Sequence, residues 1–136
     1  MYRAVLWGCT AAFIWSLPSF ADNVSRCAPP SGVVSVQIPQ HLPRSLQKSL
    51  GDSVGEIALP GQNFQSTDVV TGGPVNRFIF VWHASDKWLV ALERGGFVYN
   101  NPILLYQINN DRPRLLRSEV AYPPTVCSAA TRLIMQ

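Results

Sequence analysis

Arg77-Phe78-Ile79-Phe80-Val81-Trp82-His83 carries five large apolar side chains in succession between an arginine and a histidine. Its middle is aromatic and β-branched, which suits a pleated surface. Strict alternation would place Phe78, Phe80 and Trp82 on one face and Ile79 and Val81 on the other. Both faces are apolar, so the strand is expected to be central and covered on each side. Ala84-Ser85-Asp86 supplies a turn. Lys87 to Glu93 then returns, with Trp88, Val90 and Leu92 on one face and Leu89 and Ala91 on the other. The short connection makes this pair a hairpin.

Gly95-Gly96 breaks the second strand. Phe97-Val98-Tyr99 reads as its restart, Asn100-Asn101-Pro102 as an interruption, and Ile103 to Ile108 as a further strand. Asn109-Asn110-Asp111-Arg112 is turn chemistry. Arg114 to Val120 is the last strand, alternating Leu116, Ser118 and Val120 against Leu115, Arg117 and Glu119. Tyr122 to Cys127 carries Pro123-Pro124 and reads as an extended tail. Upstream, Val33 to Ile38 and residues 54–59 can form short strands. Leu42, Leu46 and Leu50 recur every four residues, so they stack on one face of a two-turn helix. Pro43 suits its first turn and Gly51 its end. The expected fold is mainly β (α+β): an antiparallel β-meander or small sandwich with one short N-terminal helix and disulfide-tied termini.

Met1 to Ala21 reads as an address rather than as structure. Arg3 gives a positive start, Ala4 to Trp15 is almost wholly apolar, and Ser19 and Ala21 are small residues placed for a cleavage. The apolar run is about 12 residues, where a membrane span needs roughly 20. Residues 1–21 are therefore expected to be a cleaved secretory signal peptide, and residues 22–136 a single β-rich domain. The location is expected to be periplasmic or secreted, with no membrane span.

The chain of 136 residues is 47% apolar and 14% charged, against about 25% charged in an average protein. Neither a disordered chain nor a coiled coil has that balance. The net charge is +3, and loss of Arg3 with the leader lowers it by one. Basic residues are scattered, with no run of five, so no nucleic-acid partner is expected. Nine of them are arginine and two lysine, a preference in keeping with a GC-rich bacterial genome. Cys27 and Cys127 survive cleavage, and an even pair in an exported chain reads as a disulfide. Closing about 100 residues contributes on the order of 4–5 kcal/mol in the chain-entropy model.

The chemistry-bearing residues form no constellation. His83, Ser85 and Asp86 lie within one turn, whereas a working triad is assembled from distant segments. His41 and His83 have no ligand spacing between them, so neither metal nor cofactor is expected. Glu93 follows an apolar strand and invites an ion pair with Arg94 or a cross-strand arginine. Gly72-Gly73 and Gly95-Gly96 do not sit between strand and helix, as a phosphate loop requires. The aromatics Trp82, Trp88, Phe97, Tyr99 and Tyr106 read as core on one sheet face. Phe64 is alone in the polar stretch 61–74, and Tyr99 stands beside the amides Asn100 and Asn101. Aromatics with adaptable amide neighbours are what interfaces use as anchors. Phe64, Tyr99, Asn100, Asn101, His83 and Glu93 are therefore the candidate binding residues, with no catalytic set. These features point to a non-enzymatic binding protein: an inhibitor or immunity protein whose partner is a toxin or cell-wall hydrolase. The competing expectations are a small secreted hydrolase using His83 or Glu93 and a structural accessory protein of the envelope.

Overall fold

The computed structural model describes residues 27–38, 41–68 and 72–136. The expected signal peptide, residues 1–21, lies outside them. The described chain forms a six-stranded sheet with one helix on each face. Its elements are β1 (Val34–Val36), α1 (Arg44–Val54), β2 (Ile57–Ala58), β3 (Asn76–Ala84), β4 (Lys87–Arg94), β5 (Asn101–Asn109), β6 (Arg112–Ala121), a 3-10 turn (Pro123–Thr125) and α2 (Val126–Ile134).

The meander β3-β4-β5-β6 is antiparallel throughout, and β1 pairs antiparallel with the outer side of β3. β2 runs parallel to β3 along the same edge, pairing Ile57 with Asn76. The sheet is therefore single, and of the two expected forms the meander is the one found. Ser85-Asp86 closes the first hairpin, and Ser85 has φ 56°. Asn110-Asp111 closes the last, with φ of 48° and 59°. Positive φ at both central positions of the last turn, and at the first central position of the other, gives turns whose twist matches that of the strands, and Asn and Asp tolerate it best.

The sheet is buried on both sides, as the apolar stretch at 77–83 requires. Phe80, Trp82, Leu89, Ala91, Ile103 and Leu105 pack against Val126, Ala129, Ala130, Leu133 and Ile134 of α2. Phe78, Val81, Val90, Leu92, Leu104 and Tyr106 pack on the other face against Leu42, Leu46 and Leu50. The simple alternation expected for β3 fails at one residue. Phe78 faces Leu92 and Phe80 faces Ala91, so Ile79 is the extra residue of a β-bulge. A bulge reverses the facing of everything beyond it. Phe78 therefore joins the α1 layer, while Phe80 stacks on Trp82 in the α2 layer, ring centres 4.6 Å apart. The five aromatics expected on one face are accordingly divided: Trp82 lies under α2, Trp88 and Tyr106 lie under α1, and Phe97 and Tyr99 are in neither core.

Three further expectations change. α1 has three turns, not two: it runs through Gly51 and stops at Gly55, which has φ 78°. Residues 95–99 form a loop, not a resumed strand, and β5 already includes Asn101 and Pro102. The tail is helical rather than extended. Pro123-Pro124 occupy a 3-10 turn leading into α2, where a missing N–H costs nothing.

Cys27 and Cys127 are bridged, with Cα atoms 5.3 Å apart. Cys127 lies in the first turn of α2, so the bond ties the N-terminal arm to the helix that covers one face. Peptide mapping without reductant is expected to recover these two cysteines linked; two free thiols in the folded protein would contradict the arrangement. Trp82 has no exposed surface, so Trp82→Ala is expected to cost about 3–5 kcal/mol in chemical denaturation, the usual range for truncating a core aromatic.

Candidate functional site

Polar side chains gather at one end of the sheet, where β3 begins and β4 ends. Arg77 and Glu93 are cross-strand neighbours. Arg77 Nε and Nη2 donate to Glu93 Oε2 at 2.8 and 2.5 Å. The Arg77 guanidinium also lies over the Phe64 ring, 4.3 Å from its centre, and Nη1 donates to the Gln62 carbonyl at 3.0 Å. The second carboxylate oxygen, Glu93 Oε1, accepts from the Tyr99 hydroxyl. Burial and the neighbouring Glu93 carboxylate push the Tyr99 hydroxyl up to about 12, with Asn101 and Arg77 offsetting part of the effect. The Arg77–Glu93 pair thus gathers β3 and β4, the 62–64 segment through the guanidinium, and the β4–β5 loop through the carboxylate.

A parallel tie lies beside it. Asn76 is buried; its Nδ2 donates to the Val54 carbonyl at 2.9 Å and its Oδ1 accepts from Arg94 Nε at 3.1 Å. The carbonyl is one that the end of α1 leaves without a helical partner. Asn101, fully buried, donates through Nδ2 to the Leu92 carbonyl at 3.3 Å. The loop itself is closed by paired backbone bonds between Arg94 and Asn100, at 2.8 and 3.2 Å. Gly95 N donates to the Val75 carbonyl at 3.0 Å, and Asn100 Nδ2 donates to the Val98 carbonyl at 3.0 Å.

Gly95 is fixed by proximity rather than by conformation. A Cβ there would stand 1.7 Å from the Gln65 carbonyl oxygen and 2.6 Å from Ser66 Cα. The 62–66 segment lies directly on Gly95, so no side chain fits between them.

Of the six candidate binding residues, five come together at this end: Phe64, Glu93, Tyr99, Asn100 and Asn101. They hold one another as much as they face outward. Phe64 is half-buried against Arg77, Glu93 is buried with both oxygens engaged, and Asn101 has no exposed surface. His83 lies at the opposite end of β3, between Val34 and Trp88, with its ring centre 4.2 Å from that of Trp88. Asp86 takes a bond from Gln107 Nε2 at 2.5 Å. Among the described residues, no hydrogen bond joins His83 to Ser85 or Asp86, and no three His, Cys, Asp or Glu side chains could share a metal ion.

Two of the most exposed apolar residues at this end, Phe97 and Val98, are ones that the sequence pattern assigns to the sheet. Phe97 is 93% exposed and Val98 60%, and half-exposed Val75 is bonded through its carbonyl to the loop. The available signal was Gly95-Gly96 on one side and Asn100-Asn101 on the other, a frame of loop-formers around a short tip. Comparison with protein-family models, curated proteins and solved structures finds no match to this chain.

Two outcomes follow for this network. Tyr99 has its folded pKa raised above the unfolded value of 10.0 to about 12. The protonated hydroxyl therefore adds stability that is complete below pH 10 and is lost as pH rises through 12. Melting curves are expected to show a fall across that window that is smaller in Tyr99→Phe. Gly95→Ala is expected to destabilise by about 1–3 kcal/mol, the usual range for overpacking, and to loosen the 62–66 segment in hydrogen exchange.

Proposed function

We propose that this is an exported binding protein, an inhibitor or immunity protein that seats the Phe97-Val98 tip in the cleft of a secreted or cell-wall-acting hydrolase. The observation that carries the reading is a nearly fully exposed phenylalanine on a five-residue loop whose ends are bonded to each other. Single exposed apolar residues are common and need no explanation. Here Phe97, Val98 and Val75 share one end of the molecule. The loop beneath them is clamped by the Arg94–Asn100 pair, the Gly95–Val75 bond and the Tyr99–Glu93 bond. A tip fixed before binding avoids the ordering cost that a flexible loop would incur on contact. Aromatic anchors at such positions dominate interface energetics.

Export is supported by the Cys27–Cys127 disulfide, a bond that persists in oxidising compartments. A binding rather than a catalytic role for Glu93 is supported by its two engaged oxygens, which leave neither aimed at a substrate. In this reading Phe64, Glu93, Tyr99, Asn100 and Asn101 position the tip, and Phe97 makes the contact.

The test is suppression of peptidoglycan-hydrolysing activity in periplasmic extracts by the purified protein. Phe97→Ser is expected to weaken suppression by roughly 30-fold or more, the loss of a hot-spot residue, with the melting temperature unchanged. Hydrolytic activity of the purified protein itself, abolished in folded His83→Ala or Glu93→Gln, would overturn the reading.

A further inference from the structure

We propose a second interaction surface, independent of the Phe97 tip: the free edge of β6, which takes an extended partner segment alternating acidic and apolar side chains. Among the described residues β6 pairs only with β5, so the outer edge of a ten-residue strand carries no strand partner. Such an edge is a template for main-chain hydrogen bonding to an added strand, interrupted only at Pro113, which has no N–H to donate.

Its side chains specify what would be added. Tyr106 faces Leu115 and Leu105 faces Arg117, so Leu116 is the extra residue of a bulge in β6. Simple alternation would set Arg117 on the face opposite to Arg112 and Arg114. The bulge instead brings all three to one face. Arg117 is opposite Leu105, which lies under α2; Arg114 and Arg112 are opposite Gln107 and Asn109, two and four residues further along β5 on that same face. The one carboxylate of β6, Glu119, is engaged by Arg132 of α2 at 2.5 Å. Arg114 donates to Gln107 at 2.9 Å, a neutral partner. Among the described residues Arg112, Arg114 and Arg117 form no salt bridge; the Asp86 carboxylate reaches Arg114 only through Gln107, whose Nε2 donates to it. The arginine stripe ends at a hollow of about 500 Å³ lined by Asn109, Asn110, Arg112 and Arg114, enough for an acidic side chain to enter.

The other face of β6 is apolar and half-exposed. Leu115 and Val120 are opposite Tyr106 and Pro102 and are 47% and 51% exposed. A strand laid along this edge would place alternate residues beside the arginines and beside the two aliphatic side chains. A second copy of the chain fits poorly. Antiparallel β6–β6 pairing would collect six arginines on one face with two carboxylates, both already held by Arg132. Like charges across a strand pair are destabilising.

The probe is a synthetic peptide of alternating Glu and Val, added to the full protein and followed by fluorescence anisotropy and amide shift mapping. The expected result is salt-sensitive binding with shifts confined to β6 and β5. The Arg112→Ser/Arg117→Ser double variant is expected to bind roughly tenfold more weakly, as the loss of two exposed ion pairs would give. N-methylation of alternate peptide amides on the pairing edge should abolish binding. Phe97→Ser should leave it unchanged, which separates this surface from the tip. Absence of binding, equal binding of the N-methylated peptide or of polyglutamate, or a dimer dissociated by the arginine substitutions would overturn the proposal.

Discussion

A sheet that is apolar on both faces has to be covered twice, and that constraint organises the rest of this molecule. Leu89, Ala91, Ile103 and Leu105 bury one side of the central strands; Val90, Leu92, Leu104 and Tyr106 bury the other. Neither helix is long enough to be stable alone: α1 has 11 residues and α2 has nine, below the roughly 12–15 at which isolated helices become marginal. Each therefore exists because the sheet supplies its apolar partner. The disulfide at the start of α2 reinforces the second cover by limiting how far that helix can depart from the arm carrying Cys27.

The meander, its hairpins and the position of α1 were legible because each rests on local chemistry. Trp88, Val90 and Leu92 do face α1, and Leu89 and Ala91 do face α2. Leu42, Leu46 and Leu50 do form one buried stripe. Helix α2 was legible in principle. Val126, Ala129, Ala130, Leu133 and Ile134 follow helical spacing and all are buried. The adjacent Pro123-Pro124 argues locally for extended chain, and only the need to cover the second face argues for a helix. The two bulges leave no mark in composition. Inserting Ile79 or Leu116 into a ladder depends on which cross-strand partners win, a tertiary choice that alternation cannot express.

At the candidate site the sequence supplied the right neighbourhood and a different division of labour. Glu93 invited an arginine partner, and the cross-strand Arg77 takes that place. By sequence Tyr99 and Phe64 are only candidate anchors, and both turn inward: one bonds the buried carboxylate and the other lies under the guanidinium. Phe97 was placed in a strand because a Phe-Val-Tyr run is strongly β-forming. What overrides that tendency is the Arg94–Asn100 closure, which leaves five residues between its ends and turns Phe97 outward. Glu93 therefore acts as an organiser of the tip: its oxygens join the root of β3 to the side chain two residues after Phe97.

In the free protein Phe97 stands exposed on a loop whose ends are already bonded to each other. Amide hydrogen exchange across residues 94–100 tests it most directly. Marked protection is expected at Arg94, Gly95 and Asn100, whose N–H groups are bonded within the fold. Free-chain exchange at all three would mean that the tip is not preformed, and would contradict this arrangement.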